Sequence, residues 1–264
     1  MDNKIISYNN PQIKYIKKLL SSSRFRRKEG MFIIEGARLC LDAYKSGVEI
    51  IKLFYTIGAA KKYNKYLADV LYATENELIS CDVLKRISST ESPQGIICIC
   101  KIPDQNISLN DILSYSKIIC LENIQDPSNL GTIIRTAEAL GIKGIALSDG
   151  CCDLYNPKVL RGSMGAVFRA KCFNVNDCSN FIDILNNDKF ITYASVPVND
   201  ALKITEVDFN EKCAVFIGNE GNGLSNEIIN KCSKKITIPM NGRAESLNAA
   251  AAANIIMWEI VRGV

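Results

Sequence analysis

The chain has 264 residues, 47% of them hydrophobic and 23% charged, a globular rather than disordered composition, and it is long enough for two domains of ordinary size. It contains no histidine, which excludes Ser-His-Asp and Cys-His triads and any zinc site built on imidazole. Acid–base chemistry therefore falls to Asp, Glu, Lys, Tyr, Cys or the substrate itself. The net charge of +4 is uneven: residues 1–105 carry 17 basic and 11 acidic side chains, and residues 106–264 carry 15 and 17.

The eleven cysteines show no C-x-x-C pair and no disulfide framework; their placement in apolar runs such as IICIC (96–100) suits small buried hydrophobes in a reducing cytosol. The first residues, MDNKIISYNN, lack an apolar signal region, and no uncharged apolar stretch approaches the length of a membrane span, so a cytoplasmic protein is expected.

In chain order, Ile13, Ile16, Leu19 and Leu20 have helical spacing over 11–23. Lys14, Lys17, Lys18, Arg24, Arg26, Arg27 and Lys28 crowd this stretch, with Tyr15 and Phe25 interleaved. The run reads either as a solvated helix face followed by a loop or as a phosphate-contacting patch. A strand is expected at 31–36, a helix at 37–47 ending at Gly47, a strand at 50–56 and a helix at 59–70. A short strand at 78–80, a helix near 81–89 and a strand at 95–102 follow. Pro103 to Asn106, with Ser108 and Asn110, form the best linker. Beyond it, strands are expected at 116–124, 144–150, 171–175, 189–196, 214–220 and 235–240, separated by helices that include 130–141 and a terminal one over 246–263. The alternation predicts an α/β protein with a parallel or mixed sheet. The domains expected are 1–105, a linker at 106–115, and 116–264.

Three segments carry the candidate chemistry. In LENIQDPSNLGTIIRTAEALG a strand ends at Glu122-Asn123, a polar turn follows, and a helix begins near Asn129 with Arg135 one turn in, expected to face the same mouth as Asn129. In AVFIGNEGNGLS a strand runs into Gly218, Glu220, Gly221, Gly223 and Leu224, where glycines let a backbone approach a ligand closely. This spacing is neither the Rossmann fingerprint nor a P-loop. In KITIPMNGRAESLNAAAAA a strand ends at Ile238-Pro239-Met240, and Ser246-Leu247-Asn248 open an alanine-rich helix. Each segment also has a plain reading as a capped helix or a tight turn.

Together, N-x-G-x-x-x-R, G-N-E-G-x-G-L-S and I-P-M-x-G-x-x-x-S-L-N resemble, in order and spacing, the three motifs of the SpoU (TrmH-type) RNA ribose 2′-O-methyltransferases of the SPOUT superfamily. DLYNPKVLRGSMGAVF (153–168) is similar to the family's loop after the second strand. EGMFIIEGARLCLDA and SSTESPQGIICIC are similar to its ribosomal-protein-like substrate-binding domain. The resemblance implies a C-terminal trefoil knot that binds S-adenosylmethionine without a metal, and a homodimer. It implies catalytic positions at Asn129, Arg135, Glu220, Ser246 and Asn248, and cofactor contacts at Gly218, Gly221, Leu224, Ile238, Met240 and Leu247. It makes RNA the partner, rRNA first and tRNA second, with Lys14, Lys18, Arg24, Arg26, Arg27, Lys28 and Arg161 as contacts and Lys158 as a further candidate. A non-catalytic RNA-binding scaffold and a base-nitrogen acceptor remain the alternatives.

Overall fold

The computed structural model describes residues 4–104, 107–198 and 200–262. They form two compact units, the first ending at Asp104 and also containing Asp153–Phe168.

The first unit contains α1 (Pro11–Ser21), α2 (Ser23–Glu29), β1 (Met31–Glu35), α3 (Ala37–Lys45), β2 (Ile50–Tyr55), α4 (Ile57–Lys62), α5 (Asn64–Ala73), β3 (Glu75–Leu78), α6 (Cys81–Ile87) and β4 (Ile96–Lys101). The helix expected over 11–23 is thus two helices. Ser22 breaks the run and caps the second, its Oγ accepting from the Phe25 N–H at 3.1 Å. The charge run is therefore helical through Glu29. The sheet order is β1-β4-β2-β3, with β4 antiparallel to both neighbours and β3 parallel to β2. Strand alternation divides the core. Ile97 and Ile99 join Ile13, Ile16 and Leu19 of α1 and Val83, Leu84 and Ile87 of α6 on one face. Cys98, between them, meets Cys40 of α3 on the other face, 3.1 Å between sulfurs.

Further along come α7 (Leu109–Leu113), β5 (Lys117–Leu121), α8 (Pro127–Ala139), β6 (Gly144–Ser148), α9 (Pro157–Gly162), β7 (Lys171–Val175), α10 (Cys178–Asn187), β8 (Ile191–Ser195), β9 (Leu202–Lys203), β10 (Cys213–Ile217), α11 (Asn226–Lys231), β11 (Lys234–Thr237) and α12 (Ala249–Val261). The expected linker at 106–115 contains α7, started by a capping box between Ser108 and Asp111; residues 105 and 106 lie outside those described.

Residues 153–168 depart from the continuous second domain expected from the sequence. They pack with the first unit: α9 lies on β1, and Phe32 stacks against Tyr155 and Phe168 with ring centroids 4.7 and 6.2 Å away. Arg26 fastens them. It is only 3% exposed, its Nε donates to Asp153 Oδ2 at 2.7 Å, and Nη1 donates to the Leu19 carbonyl at 2.6 Å. Arg26, expected among the RNA contacts, is consequently a buried structural residue. Its place in the run could not be told from its neighbours by charge; the helical turn of α2 points it inward while Arg24 and Arg27 stay exposed.

The second unit is built on a seven-stranded, wholly parallel sheet of order β7-β6-β5-β10-β8-β11-β9. β10 returns to lie between β5 and β8, so connections run outward on both sides of the β5–β10 pair. Ligands of open α/β sheets bind at the carboxyl ends of strands at such a switch point. One face is covered by α10 and α11, with Phe181, Ile182, Leu185 and Ile228 packed on Ile118, Ala194 and Phe216; α8 packs against α12.

Seven of the eleven cysteines are buried. Burial pushes the thiols of Cys172, Cys178 and Cys232 up to about 12, so they stay protonated at neutral pH and serve as packing groups. Among the described residues no helix is long and apolar enough to cross a membrane.

Removing Arg26 leaves the Asp153 carboxylate, its side chain only 11% exposed, without its ion-pair partner. Arg26→Ala is expected to cost about 3–5 kcal/mol in urea unfolding, whereas Arg27→Ala, one residue on and exposed, should change stability by less than about 0.5 kcal/mol.

Candidate functional site

The carboxyl ends of β8, β10 and β11 converge on one cavity of about 360 Å³, the size of a small-molecule site. Its walls are the ends of β8 (Val196 to Val198), the turn after β10 (Gly218 to Leu224), Ile238, Met240, Ser246 and Leu247 after β11, and Ala249 and Ala252 at the start of α12. Every position expected to contact a cofactor lines it: Gly218, Gly221, Leu224, Ile238, Met240 and Leu247.

Gly218 is dictated by a close approach. A Cβ there would lie 2.1 Å from the Gly223 carbonyl carbon and 2.2 Å from the Leu224 nitrogen, closer than any real side chain allows. The turn closes on itself, the Asn219 and Gly223 backbones exchanging hydrogen bonds of 3.1 and 3.0 Å. Asn219 Oδ1 accepts from the N–H groups of Gly221 and Asn222 at 2.8 and 3.2 Å.

Beside the cavity, three polar side chains from the three motifs form one directed chain of hydrogen bonds. Asn248 is the N-cap of α12, its Oδ1 accepting from the Ala250 and Ala251 N–H groups at 3.0 and 3.2 Å. Its Nδ2 donates to Asn129 Oδ1 at 3.0 Å, and Asn129 Nδ2 donates to Glu220 Oε1 at 2.8 Å. Asn129 is 7% exposed and uses both ends of its amide. A carboxylate only accepts and a cap oxygen must accept, so neither amide can flip without leaving two donors face to face.

The structure thus brings Asn129, Glu220 and Asn248 together and sets Ser246 on the cavity wall. It does not bring Arg135 to them. Six residues along α8 turn a side chain by about 240° and advance it about 9 Å, so Arg135 lies on the exposed side while Asn129 is buried, contrary to the shared mouth expected. Val196 to Val198 and Ala252 escaped sequence reading. The placement of β8 beside β10, a long-range pairing, puts Val196 to Val198 at the site, and α12 brings Ala252.

In the first unit Lys14, Lys17, Lys18, Arg24, Arg27 and Lys28 are exposed on α1 and α2, with Lys18 Nζ 5.6 Å from the Phe25 ring centroid. Packing of α6 beside α1 adds exposed Lys85 and Arg86, the latter 4.1 Å over the Tyr8 ring. They lie too far along the chain for a charge-run reading to connect them with the others. Arg161 Nη1 donates to Ser89 Oγ at 2.5 Å, and Ser89 in turn donates to Glu35, so Arg161 braces a loop; Lys158 is exposed.

The fold and the site define an α/β protein with a small-molecule cavity at the carboxyl edge of a parallel sheet. Residues 116–258 match the SpoU rRNA Methylase family and residues 10–98 an MRM3-like substrate binding domain; the chain belongs to the SpoU rRNA methylase family. It is 30% identical over 256 residues to a 23S rRNA (guanosine(2553)-2′-O)-methyltransferase of Bacillus subtilis, covering 97% of this chain and 98% of that one. It is 27% identical over 264 residues to the 23S rRNA (uridine(2479)-2′-O)-methyltransferase of Streptomyces viridochromogenes, covering 97% and 91%. Among solved structures it is similar to the SpoU methyltransferase AviRb of Streptomyces viridochromogenes in complex with AdoMet, with a TM-score of 0.85 and 28% identity over 96% of this chain and 98% of that one.

Cutting the ladder at its centre leaves the amide of Asn248 and the carboxylate of Glu220 without their partner. Asn129→Ala is expected to lower kcat/KM by about 10²-fold, with Asn129→Asp no better because a carboxylate cannot donate to Glu220. Single-turnover kinetics checks both.

Proposed function

We propose that the chain transfers a methyl group from S-adenosylmethionine to a ribose 2′-hydroxyl of 23S ribosomal RNA. The observation that carries this reading is the cavity closed by the Gly218–Leu224 turn and Ser246–Asn248, with the Asn129–Glu220–Asn248 ladder beside it. The residues present fit the cofactor: Gly218 leaves no room for a side chain, the turn offers backbone groups for polar contacts, and Ile238, Met240 and Leu247 give apolar wall. When bound, the cofactor's sulfonium supplies an electrophilic methyl group and leaves as a neutral thioether.

The protein's part is to hold the ribose. Glu220 and Ser246 are acceptors for sugar hydroxyls, held in place by Asn129 and the cavity wall, and aligning the hydroxyl with the methyl group supplies acceleration through orientation. Arg135, exposed on α8 away from the ladder, binds an RNA phosphate next to the target ribose, and the 2′-hydroxyl's proton passes to a phosphate oxygen of the substrate as the methyl group is transferred. No imidazole is needed.

Ribosomal RNA is favoured over tRNA by how much of the chain is matched. The similar solved tRNA-modifying enzymes cover 57% and 55% of it, whereas the rRNA methyltransferases from Sinorhizobium meliloti cover 99%. The basic surface of α1, α2 and α6 docks the RNA. A cytoplasmic homodimer containing the knotted cofactor site completes the reading. Trp258, 58% exposed on α12 with Ile255 beside it one turn earlier, offers an apolar surface for a second copy.

Digestion of 23S rRNA incubated with the enzyme and methyl-labelled cofactor should yield a ribose-methylated nucleoside by mass spectrometry; label on a base contradicts the proposal. Arg135→Lys keeps the charge and loses the planar fork, and turnover should fall about 10²-fold. The double reversal Lys85→Glu and Arg86→Glu should weaken RNA binding and flatten the log–log salt dependence by about 1.5, while calorimetry shows unchanged cofactor affinity.

A further inference from the structure

The geometry points to Glu122 and Asn123 as positioning residues that clasp both ends of the cofactor turn and thereby set its affinity for S-adenosylmethionine. This rests on the reading that the cavity holds that cofactor. Neither residue lines the cavity; both act through the turn.

The two residues follow β5, the strand paired with β10, and the Glu122 N–H donates to the Ile217 carbonyl at 2.9 Å. From there they reach opposite ends of the turn. The Asn123 carbonyl accepts from Asn219 Nδ2 at 2.8 Å, at the turn's start. Glu122 Oε2 accepts from the Ser225 N–H at 2.9 Å, at its end. Between these anchors lies the backbone of Glu220 to Leu224, which lines the cavity.

A simple helix cap does not account for Glu122. α11 already has one, since Ser225 Oγ accepts from the Ile228 N–H. A carboxylate only 8% exposed is costly to bury, and here its hydrogen bond falls on the turn. Asn123 is equally constrained. It sits at φ 56°, a left-handed conformation that asparagine tolerates better than most residues. Ser148 Oγ accepts from its N–H at 2.9 Å and donates to its Oδ1 at 3.3 Å. Gly150 leaves room for that side chain, for a Cβ there would lie 1.8 Å from Asn123 Oδ1. The clasp is thus braced by β6 and its following turn.

A turn held at both ends is ordered before the cofactor arrives, so binding need not bear that ordering cost. Loosening one end should weaken cofactor binding and leave methyl transfer at saturation nearly unchanged.

Titration calorimetry with S-adenosylmethionine on the full chain tests this. Glu122→Asp keeps the charge but withdraws the acceptor by one methylene; Kd should rise about 10-fold while kcat at saturating cofactor stays within about twofold. Glu122→Gln keeps an oxygen for the Ser225 N–H and should bind within about threefold of wild type. Folded Glu122→Asp with wild-type affinity overturns the proposal, as does Glu122→Gln losing as much as Glu122→Asp. Asn219→Asp serves if Glu122→Asp does not fold. It can still accept from Gly221 and Asn222 but cannot donate to the Asn123 carbonyl, so the same loss is expected, and unchanged affinity is contradictory. Ala252→Phe, which fills the cavity from α12, separates the two readings. If it binds the cofactor normally, the cavity assignment fails; if it alone loses binding, only the clasp fails.

Discussion

The site depends on the direction of one chain of hydrogen bonds. It begins at the bare N–H groups that open α12, which require an acceptor, and Asn248 supplies it. That choice turns the amide's donor end toward Asn129, whose own donor end must then meet the carboxylate of Glu220. A helix start, a buried asparagine and a glutamate in a glycine-rich turn are thereby fixed in one polarity. Each member comes from a different motif, so the chemistry exists only when three distant stretches are folded together.

The parallel sheet is what brings them together. β10 beside β5 places the Gly218 turn next to Glu122 and Asn123, and β8 and β11 bring their own carboxyl ends to the same edge. Gly218 allows the turn to close at van der Waals limits, where a methyl group would collide with backbone. The first unit solves a different problem. Its α1–α2–α6 layer covers an apolar core while presenting lysines and arginines outward, and the single inward arginine, Arg26, pins the Asp153–Phe168 segment against β1.

Much of this was legible in the sequence, for identifiable reasons. Helical spacing of Ile13, Ile16 and Leu19 and the apolar runs at β1, β4, β5 and β10 reported their burial directly. The three motifs named the cavity's lining because close backbone approach and helix capping restrict residue choice to glycine, serine and asparagine. What stayed hidden was set by tertiary placement. The inward aim of Arg26, the docking of 153–168 with the first unit and the joining of Lys85 and Arg86 to the α1 surface depend on partners 50 or more residues away. Two strands also end sooner than their apolar runs predict. β5 stops at Leu121 because Asn123 turns left-handed, and β11 stops at Thr237, before the Ile238-Pro239 segment that lines the cavity.

The central claim is that the cofactor is held between the Gly218–Ser225 turn and the stretch from Ile238 to Ala252. Hydrogen exchange of the full chain with and without S-adenosylmethionine, read by mass spectrometry, addresses it directly. Slowed exchange confined to peptides covering 217–225 and 238–252, with α1, α2 and α6 unchanged, is the predicted result. Protection that falls on the basic helices instead, or cofactor binding with no protection in either stretch, would contradict it.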